Sequence, residues 1–362
     1  MWRAVKIIII GRSITSANGN GHATTYRGLI RELDARGHSV LFLEHDPSSP
    51  TLTRDVHKPQ FGDARFYQTL SELKRRFLRQ VRGAQVVIVD SAVPESAEVG
   101  DWVTRIAKGV TAFYDVDTPF TLAKLEHGDA GHLTRALIPK YSLYLSFTGG
   151  PALEQLEEIY RSPMARALYD AVDPAQFYPE SAAMKWDLGY AGAYGAECQP
   201  SLEKLLLEPA RQMPRGKFVV AGPKYPDSIV WPKNVHRRAY LPAKEHRKFF
   251  SAQRFTLNIT RPRMMSTGYT PNLRLFEAAA CGTPIISDSW PGLDKLFKPR
   301  REILIARSTS EMLAYLKDMG EAERREVGLR ARERVLADHT AAQRAAQLER
   351  YVAEAMTGQL MA

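Results

Sequence analysis

The residues whose types and spacing best suit chemistry lie in the segment TPNLRLFEAAACGTPIIS, at positions 270–287. Thr270 is a favoured N-cap residue, Pro271 suits the first helical position, and Gly282 suits the left-handed position after a helix. We therefore predict a helix whose first amide N–H groups, from Thr270 to Asn272, have no partner within the helix. Such a helix start, with its positive dipole end, is a seat for phosphate.

Two charged side chains share one side of this predicted helix. At about 100° per residue, Arg274 and Glu277 lie on the same side as Thr270. A diphosphate at the helix start, with a carboxylate two turns further along to accept ribose hydroxyls, would hold a nucleotide-sugar donor. The alternative is an ordinary amphipathic helix on which Arg274 and Glu277 pair in solvent.

The elements that must position these residues are short apolar runs that alternate with amphipathic helical segments. Continuous apolar strands with helical crossovers are typical of parallel sheets covered on both faces. The predicted strands are Val5–Ile10, Val40–Leu43, Val86–Val89, Val110–Tyr114, Leu143–Ser146, Leu188–Ala191, Phe218–Ala221, Val235–Tyr240, Phe255–Ile259, Pro284–Ser287 and Ile303–Ala306. The pattern pauses at residues 173–185, so we predict two doubly wound, Rossmann-like α/β domains at 1–172 and 186–338, joined by this linker. Residues 339–362 are predicted to form a further amphipathic helix and tail.

Open α/β sheets bind ligands beyond the carboxyl ends of their strands, so the loops there should carry the site. In the second domain, Lys224 and Arg261 are cations placed where a diphosphate leaving group needs neutralisation. The alternative is that both are ordinary surface charges. The candidate residues of these loops are Gly192, Tyr194, Gly222, Lys224, Arg261 and Tyr269.

In the first domain, the loop GRSITSANGNGH follows the first strand and ends at His22. Gly19, Asn20 and Gly21 permit close approach of a ligand to the backbone. The pattern is not G-x-G-x-x-G, so we do not expect a nicotinamide site. His22 stands at a helix start, where the dipole should lower its pKa and leave it a neutral base or hydrogen-bond partner. The alternative is a structural or capping histidine.

Two aspartates follow the fourth predicted strand. Asp115 and Asp117 alternate along an extended segment and should face opposite sides. Asp117 is our candidate for a general base or for holding an acceptor hydroxyl. The alternative is that an aspartate before Thr-Pro caps the next helix. The D-x-D pattern could also bind a metal ion. However, the order of strands and helices does not match the fold in which a D-x-D motif binds a metal, so we expect no metal site.

Composition limits the partners and the compartment. The 362 residues carry a net charge of +10, which favours anionic partners, and two cysteines offer neither a disulfide framework nor metal-ligand spacing. No apolar run is long enough for a membrane span or a signal peptide, so we expect a cytoplasmic protein. No recognised nucleic-acid-binding module is present. The basic segment Lys74–Arg82 allows at most peripheral contact with anionic lipid, although a core-packed helix with a solvated charged face explains it better.

Several stretches together resemble a known family. They are GNGHATTYR at 19–27, TAFYDVDTP at 111–119, LYLSFTGG at 143–150, AVDPAQFYP at 171–179, DLGYAGAY at 187–194, FVVAGPKYP at 218–226 and RLFEAAACGTPIISD at 274–288. They are similar, in the same order along nearly the whole chain, to glycosyltransferases of the GT-B fold, specifically the CgeB-type or spore-maturation-like group. The resemblance implies two Rossmann-like domains facing a cleft. It also implies a donor nucleotide on the second domain, an acceptor on the first, and a C-terminal helix that crosses back to the first domain.

The resemblance also assigns roles and shows departures. In retaining GT-B enzymes an E-x7-E motif lies on the donor helix, and Glu277 matches its second glutamate, which contacts ribose. Tyr269 stands where the first glutamate would contact the donor sugar. The arginine and lysine usual in the first loop of the second domain are also missing from GAYGAECQP, at 192–200. The donor sugar and the retaining or inverting outcome therefore stay open; in a retaining enzyme, His22 and Asp117 would position substrates rather than remove a proton.

We accordingly expect a metal-independent hexosyltransferase of polysaccharide or glycoconjugate biosynthesis. Its nucleoside-diphosphate sugar is a co-substrate, no bound cofactor is expected, and the acceptor is unidentified. One alternative is a nucleotide-sugar epimerase of the same architecture, for which His22 and Asp117 are the only candidate acid–base pair. The other is a catalytically silent binding or assembly protein that keeps the fold, an interpretation that Tyr269 favours.

Overall fold

The computed structural model describes residues 4–16, 21–46, 54, 56, 59–128 and 131–361. Within these residues, no helix combines the length and the apolar character needed to cross a bilayer. The chain forms two compact units: residues 1–171 with 341–362 make the first unit, and residues 172–340 make the second. Each unit contains one open parallel sheet with helical crossovers, so the predicted fold class is confirmed.

The first unit contains a seven-stranded sheet in the order β3-β2-β1-β4-β5-β6-β7, and all its strand pairs are parallel. The strands are β1 Lys6–Gly11, β2 Ser39–His45, β3 Asp63–Tyr67, β4 Val86–Asp90, β5 Val110–Asp115, β6 Leu143–Ser146 and β7 Ala165–Ala167. The helices are α1 Gly21–Ala35, α2 Leu70–Gly83, α3 Ser96–Ile106, α4 Thr118–Glu126 and α5 Pro151–Glu158, with a 3-10 turn at Ile138–Lys140. The strand order reverses between β1 and β4, which makes the loops after these two strands the topological switch point.

Both faces of the first sheet are covered. Alternate residues of β1 point to opposite faces, so Ile8 and Ile10 join one buried cluster and Ile7 and Ile9 another. The apolar stripe of α2, which includes Leu73, lies in the first of these clusters. The basic segment is therefore a core-packed helix, as the preferred interpretation stated.

The second unit contains a six-stranded sheet in the order β10-β9-β8-β11-β12-β13, again with every pair parallel. The strands are β8 Trp186–Ala191, β9 Phe218–Ala221, β10 Val235–Arg238, β11 Gln253–Asn258, β12 Ile285–Ser287 and β13 Leu304–Ile305. The helices are α6 Gln199–Leu202, α7 Glu208–Gln212, α8 His246–Ser251, α9 Pro262–Thr267, α10 Leu273–Ala280, α11 Leu293–Leu296, α12 Thr309–Asp318 and α13 Glu321–Asp338. A π turn at Glu203–Leu207 joins α6 to α7, and 3-10 turns occupy Ala196–Cys198 and Ala243–Glu245. Here the order reverses between β8 and β11.

The C-terminal helix, α14, spans Ala341–Met361 and belongs to the first unit. Its residues Ala345, Leu348 and Val352 are buried in the cluster that contains Ile7 and Ile9. The amphipathic pattern of this segment required an apolar surface, and the first sheet provides it.

The predicted strands all exist, two of them (Leu143–Ser146 and Phe218–Ala221) with the predicted bounds and the others with shifted ends, but two strands were missed. β3 has the sequence DARFY and alternates exposed with half-buried positions, because it is an edge strand. β7 is only three residues long and lies at the other edge. Both lack the continuous apolar run on which the strand predictions rested.

Candidate functional site

The candidate phosphate seat lies at the start of α10, but this helix begins later than predicted. The N-cap is Asn272, whose side-chain oxygen accepts a hydrogen bond from the Leu275 amide at 3.3 Å. Thr270 is not the cap, because its buried hydroxyl donates to the Gly268 carbonyl at 2.8 Å and serves the preceding turn. Pro271 therefore lies before the helix, not at its first position. The amides that lead the helix are those of Leu273 and Arg274, which corrects the predicted set of residues 270–272.

The other end of α10 is as predicted. Gly282 has a φ of +70°, the left-handed conformation expected after a helix. The Gly282 amide donates to the Ala279 carbonyl at 2.8 Å, and the Thr283 amide donates to the Ala278 carbonyl at 3.1 Å. These two bonds form a Schellman motif, which fixes where the helix ends.

A buried polar network connects the cap of α10 to two neighbouring strands. The Asn272 amide nitrogen donates to the Asn258 side-chain oxygen at 2.5 Å, and the Asn258 amide nitrogen donates to Ser287 at 2.9 Å. Asp288 accepts from the Thr260 backbone amide at 2.6 Å and from its hydroxyl at 2.8 Å. Burial raises the pKa of Asp288 to about 6, against the opposing effect of these hydrogen bonds. The helix start is thus fixed to the ends of β11 and β12.

Glu277 is buried, with 5% of its surface exposed, which rules out the predicted alternative of a solvent ion pair with Arg274. One of its carboxylate oxygens lies 3.5 Å from His246 Nδ1. His246 begins α8 and is half-buried. Sequence reasoning missed it, because no spacing relates a residue of α8 to one of α10.

Two arginines converge on the carboxyl end of β8. Arg261 and Arg274 are exposed, and both act on the pKa values of Tyr190 and Cys198. Burial raises both pKa values, and the two guanidinium groups oppose that rise. Arg261, in the loop after β11, and Arg274, in the first turn of α10, therefore act on the same region near the end of β8. Tyr190 and Cys198 were not among the predicted residues.

The glycine loops after β8 and β9 pack against each other. Gly222 has a φ of +150°, and a Cβ on it would lie 1.9 Å from the Gly192 carbonyl oxygen. The Tyr225 hydroxyl donates to that same carbonyl oxygen at 3.1 Å, and its ring contacts the ring of Tyr194. These glycines are thus required by loop packing. Lys224 follows in a left-handed conformation with an exposed side chain.

Tyr269 adopts a left-handed conformation with a φ of +50°. Its amide donates to the Pro291 carbonyl at 2.7 Å, and its ring lies against Gly292, where a Cβ would come within 2.4 Å of the ring. The ring of Tyr269 therefore packs within the second unit. Tyr269 is the position at which the retaining GT-B enzymes that the sequence resembles carry a glutamate.

In the first unit, residues 17–20, which include Gly19 and Asn20 of the glycine loop, lie outside the described residues. His22 lies at the second position of α1, at the switch point. The Nδ1 atom of His22 is 3.9 Å from Asp170 Oδ1, an ion-pair separation too long for a hydrogen bond. Burial alone would lower the pKa of His22, but Asp170, Asp90 and Asp117 outweigh burial and raise it. The predicted lowering by the helix dipole is therefore wrong.

The two predicted aspartates differ in environment. Asp115 is fully buried, and its carboxylate accepts the Tyr144 hydroxyl at 2.6 Å and the Asp117 amide at 3.1 Å. Asp117 is half-buried at the N-cap position of α4, yet its side chain makes no capping bond; its carbonyl accepts from Phe120 and Thr121. Asp117, but not Asp115, is among the carboxylates that raise the pKa of His22.

Sequence reasoning missed Asp90 and Asp170. Asp90 ends β4 at the switch point, accepts the Ala92 amide at 2.7 Å, and has its pKa raised by burial. Its position directly after the apolar run VVIV could have revealed it by the rule that led to Asp115. Asp170 accepts the Thr25 hydroxyl at 2.8 Å, and no local signal marks it. Over the described part of the chain, no group of three or more histidine, cysteine, aspartate or glutamate side chains is arranged to hold a metal ion.

Comparisons with known proteins agree with this architecture. A family model described as "Glycosyl transferase-like" matches residues 199–350, less than half of the chain. No curated protein sequence matches the chain. Solved structures are similar over almost the whole chain. Because their sequence identities are low, the similarity shows a shared fold alone, the GT-B fold.

A sucrose-phosphate synthase from Thermosynechococcus elongatus has 16% identity and a TM-score of 0.68, covering 98% of this chain and 100% of its own. HepE from Anabaena, in complex with UDP and glucose, has 10% identity and a TM-score of 0.68, covering 97% and 100%. An α-glucosyltransferase in complex with UDP and a 13-mer DNA has 12% identity and a TM-score of 0.71, covering 97% and 100%.

Proposed function

We propose that the protein is a glycosyltransferase that moves a sugar from a nucleoside-diphosphate donor to a hydroxyl acceptor. The observation that carries this proposal is the carboxyl edge of the second unit. That edge carries the capped start of α10 and the exposed Arg261 and Arg274, which act on the same tyrosine, and the buried Glu277 follows further along α10. The family match over residues 199–350 supports it, and so do the similar structures that hold UDP or UDP with glucose.

In this proposal the second unit binds the donor. The Leu273 and Arg274 amides point out of the helix start toward the diphosphate, where the helix dipole favours negative charge. Arg261 and the Arg274 side chain neutralise the charge that develops on the leaving nucleoside diphosphate, with Lys224 as a further cation. No metal ion is required for that neutralisation, and we propose a metal-independent reaction without a bound cofactor.

Glu277 accepts hydrogen bonds from the ribose hydroxyls. A buried carboxylate near a single half-buried histidine keeps acceptor capacity for a ligand, because His246 lies 3.5 Å from only one of its oxygens. Because this carboxylate is sequestered from water, hydrogen bonds to it are stronger than hydrogen bonds to a carboxylate on the surface.

In the first unit, His22 holds the acceptor hydroxyl, with Asp117 as a second polar contact. The carboxylates around His22 favour its protonated form, so it donates a hydrogen bond to the acceptor oxygen, while the acceptor proton leaves with the nucleoside diphosphate. We propose no stereochemical outcome, because both a retaining and an inverting enzyme could use these contacts.

The test is thermal unfolding with a panel of nucleoside diphosphates and their sugars, on wild type and on Glu277→Ala and Glu277→Gln. A ligand at a hundred times its dissociation constant should stabilise the native state by about 2.7 kcal/mol. One nucleotide should raise the melting temperature of the wild type, and both variants should lose most of that rise. Glu323→Ala, an exposed glutamate of α13, is the control and should keep it.

The products then separate the reaction classes. Release of free nucleoside diphosphate from the donor, with or without an acceptor, supports a transferase. Conversion of the donor sugar without nucleotide release would instead show an epimerase. Absence of any shift in folded wild-type protein would overturn the donor site and favour a silent binding protein.

A further inference from the structure

The C-terminal helix provides a buried arginine to the first unit. Arg344 of α14 has 2% of its surface exposed and is the largest of the fully buried side chains. Its Nε donates to the Tyr169 carbonyl at 2.9 Å, and its Nη2 donates to the Asp170 carbonyl at 3.2 Å. Gln347 accepts from Nη1 at 3.1 Å, which orients the guanidinium. Burial lowers the pKa of Arg344, so the fold bears a desolvation cost to keep this charge inside.

The two backbone carbonyls before Tyr169 also accept side-chain hydrogen bonds. The Tyr351 hydroxyl, also on α14, donates to the Ala167 carbonyl at 3.1 Å. The Tyr114 hydroxyl, at the end of β5, donates to the Leu168 carbonyl at 2.8 Å. Side chains therefore capture four consecutive carbonyls, from residue 167 to residue 170, just beyond the edge strand β7. We call this arrangement the carbonyl clamp.

The clamp ends at the residue that faces His22. The Asp170 carbonyl is held by Arg344, while its carboxylate accepts the Thr25 hydroxyl at 2.8 Å and lies 3.9 Å from His22 Nδ1. An apolar side chain would fill the same space but would leave the Tyr169 and Asp170 carbonyls without these donors. A fork of N–H donors, in contrast, fixes two adjacent carbonyls in direction as well as in distance.

We propose that Arg344 is a positioning residue: through the carbonyl clamp it holds the Asp170 carboxylate opposite His22, and so orients the imidazole of His22. The part of this proposal that concerns the acceptor rests on the proposed function; the placement of Asp170 does not. Besides Asp170, the charged groups that act on His22 are Asp90 at the end of β4 and Asp117 before α4, and the ring of Phe147 after β6 lies 5.1 Å from the imidazole.

The test is the titration of the His22 imidazole, followed by NMR on histidine-labelled protein without substrate. Asp170→Asn should lower the pKa of His22, because it removes the nearest carboxylate. Arg344→Lys keeps the positive charge but loses the fork, so a fall of the His22 pKa in this variant reports lost placement of Asp170. The matched control is Arg324→Lys, since Arg324 is a buried arginine of the second unit that also donates to a carbonyl. It should leave the titration of His22 unchanged.

A His22 pKa that falls in Asp170→Asn but stays at the wild-type value in folded Arg344→Lys would overturn the proposal. If Arg344→Lys does not fold, Tyr351→Phe replaces it, because it removes one hydroxyl from the same clamp. Thr25→Val and Thr25→Ser form a second pair: the valine variant should lower the His22 pKa and the serine variant should restore it. Unchanged titration in Tyr351→Phe would contradict the clamp, and unchanged titration in Thr25→Val would contradict the placement of the Asp170 carboxylate.

Activity separates this inference from the proposed function. If the protein transfers sugar with His22 protonated, Arg344→Lys should move the alkaline limb of the kcat/KM profile to lower pH, in step with the His22 pKa, and leave the KM for the donor unchanged. If no nucleotide binds but the His22 titration responds as described, the positioning role stands and the proposed reaction fails.

Discussion

The carboxyl edges of the two sheets are built alike and charged oppositely. In each unit the strand order reverses once, and the candidate residues lie in the loops at that reversal or after the neighbouring strand. The first unit places Asp90, Asp117 and Asp170 around the single half-buried His22. The second unit places the exposed Arg274 in the first turn of α10 and the exposed Arg261 in the loop after β11. One fold thus supplies an acidic edge and a cationic edge.

This difference shows that backbone topology decides where a ligand binds, whereas a few side chains decide which ligand binds. The net charge of +10 describes neither edge, because most charges of the chain lie elsewhere. A cationic edge suits a diphosphate, and an acidic edge with one histidine suits a hydroxyl acceptor that must lose a proton. Each edge also contains a buried carboxylate with a raised pKa, Asp90 in the first unit and Asp288 in the second.

The sharpest way to separate the two edges is to remove the histidine. His22→Ala should lower the rate of transfer by about 10²–10³-fold, because the acceptor oxygen loses a hydrogen-bond donor that stabilises its developing charge. Donor affinity should stay the same, since the donor residues belong to the other unit. Steady-state kinetics and nucleotide titration measure the two effects, with His127→Ala, an exposed histidine of the first unit, as control. Equal loss of donor affinity would contradict the division of roles.

The buried carboxylate of the second edge predicts a pH dependence of stability. Because the pKa of Asp288 is about 6 in the folded protein, against 3.8 ordinarily, the native state binds its proton more tightly than the unfolded state. The contribution of Asp288 to the unfolding free energy should therefore fall as pH rises from about 4 to about 6, by about 3 kcal/mol at most. Urea unfolding of wild type and Asp288→Asn at several pH values measures it.

The Asp288→Asn variant should lose this part of the slope, whereas Asp227→Asn, an exposed control, should keep it. Identical slopes in wild type and Asp288→Asn would show that Asp288 titrates normally.

The cations of the second edge should act on the donor alone. Arg274→Gln should weaken nucleoside-diphosphate binding by about 2 kcal/mol, the usual contribution of a hydrogen bond to a charged group. The wild-type affinity should fall with added salt more steeply than that of the variant. Calorimetric titration at two salt concentrations measures this, with the exposed Arg263→Gln as control. An effect of the same size from Arg263→Gln would mean general electrostatics, not a specific contact.

The smallest effect concerns the cap that positions the phosphate seat. Asn272→Ala should cost about 1 kcal/mol of stability, because it removes the acceptor for the Leu275 amide. Asn272→Asp keeps that acceptor but places a negative charge where the phosphate would lie. It should also lose stability, because a carboxylate cannot donate the hydrogen bond to Asn258, and it should bind nucleotide more weakly; thermal unfolding with and without ligand measures both effects. Unimpaired binding in Asn272→Asp would move the phosphate away from this helix start.

Much of the fold could be predicted because its signals are local. Central strands such as Val86–Asp90 are continuous apolar runs, and Gly282 marks the end of α10 through a conformation that glycine adopts without strain. The edge strands β3 and β7 lack that signal. The error at Thr270 has a similar origin: Thr270 and Asn272 are both good caps, and only the contact of Asn272 with Asn258 favours the second.

The sequence by itself determined the two doubly wound sheets, the phosphate-seat helix with its C-terminal Schellman motif, and the candidate donor residues, whose roles stay predictions. The tertiary structure decided the environment of His22, because Asp90 and Asp170 come from distant parts of the chain and their fields sum only after folding. It also decided that Glu277 is buried beside His246 and that Arg344 holds the backbone of Asp170. The central strands and the C-terminal end of α10 depend on neighbours within a few residues. Charge, burial and pKa depend on neighbours in space.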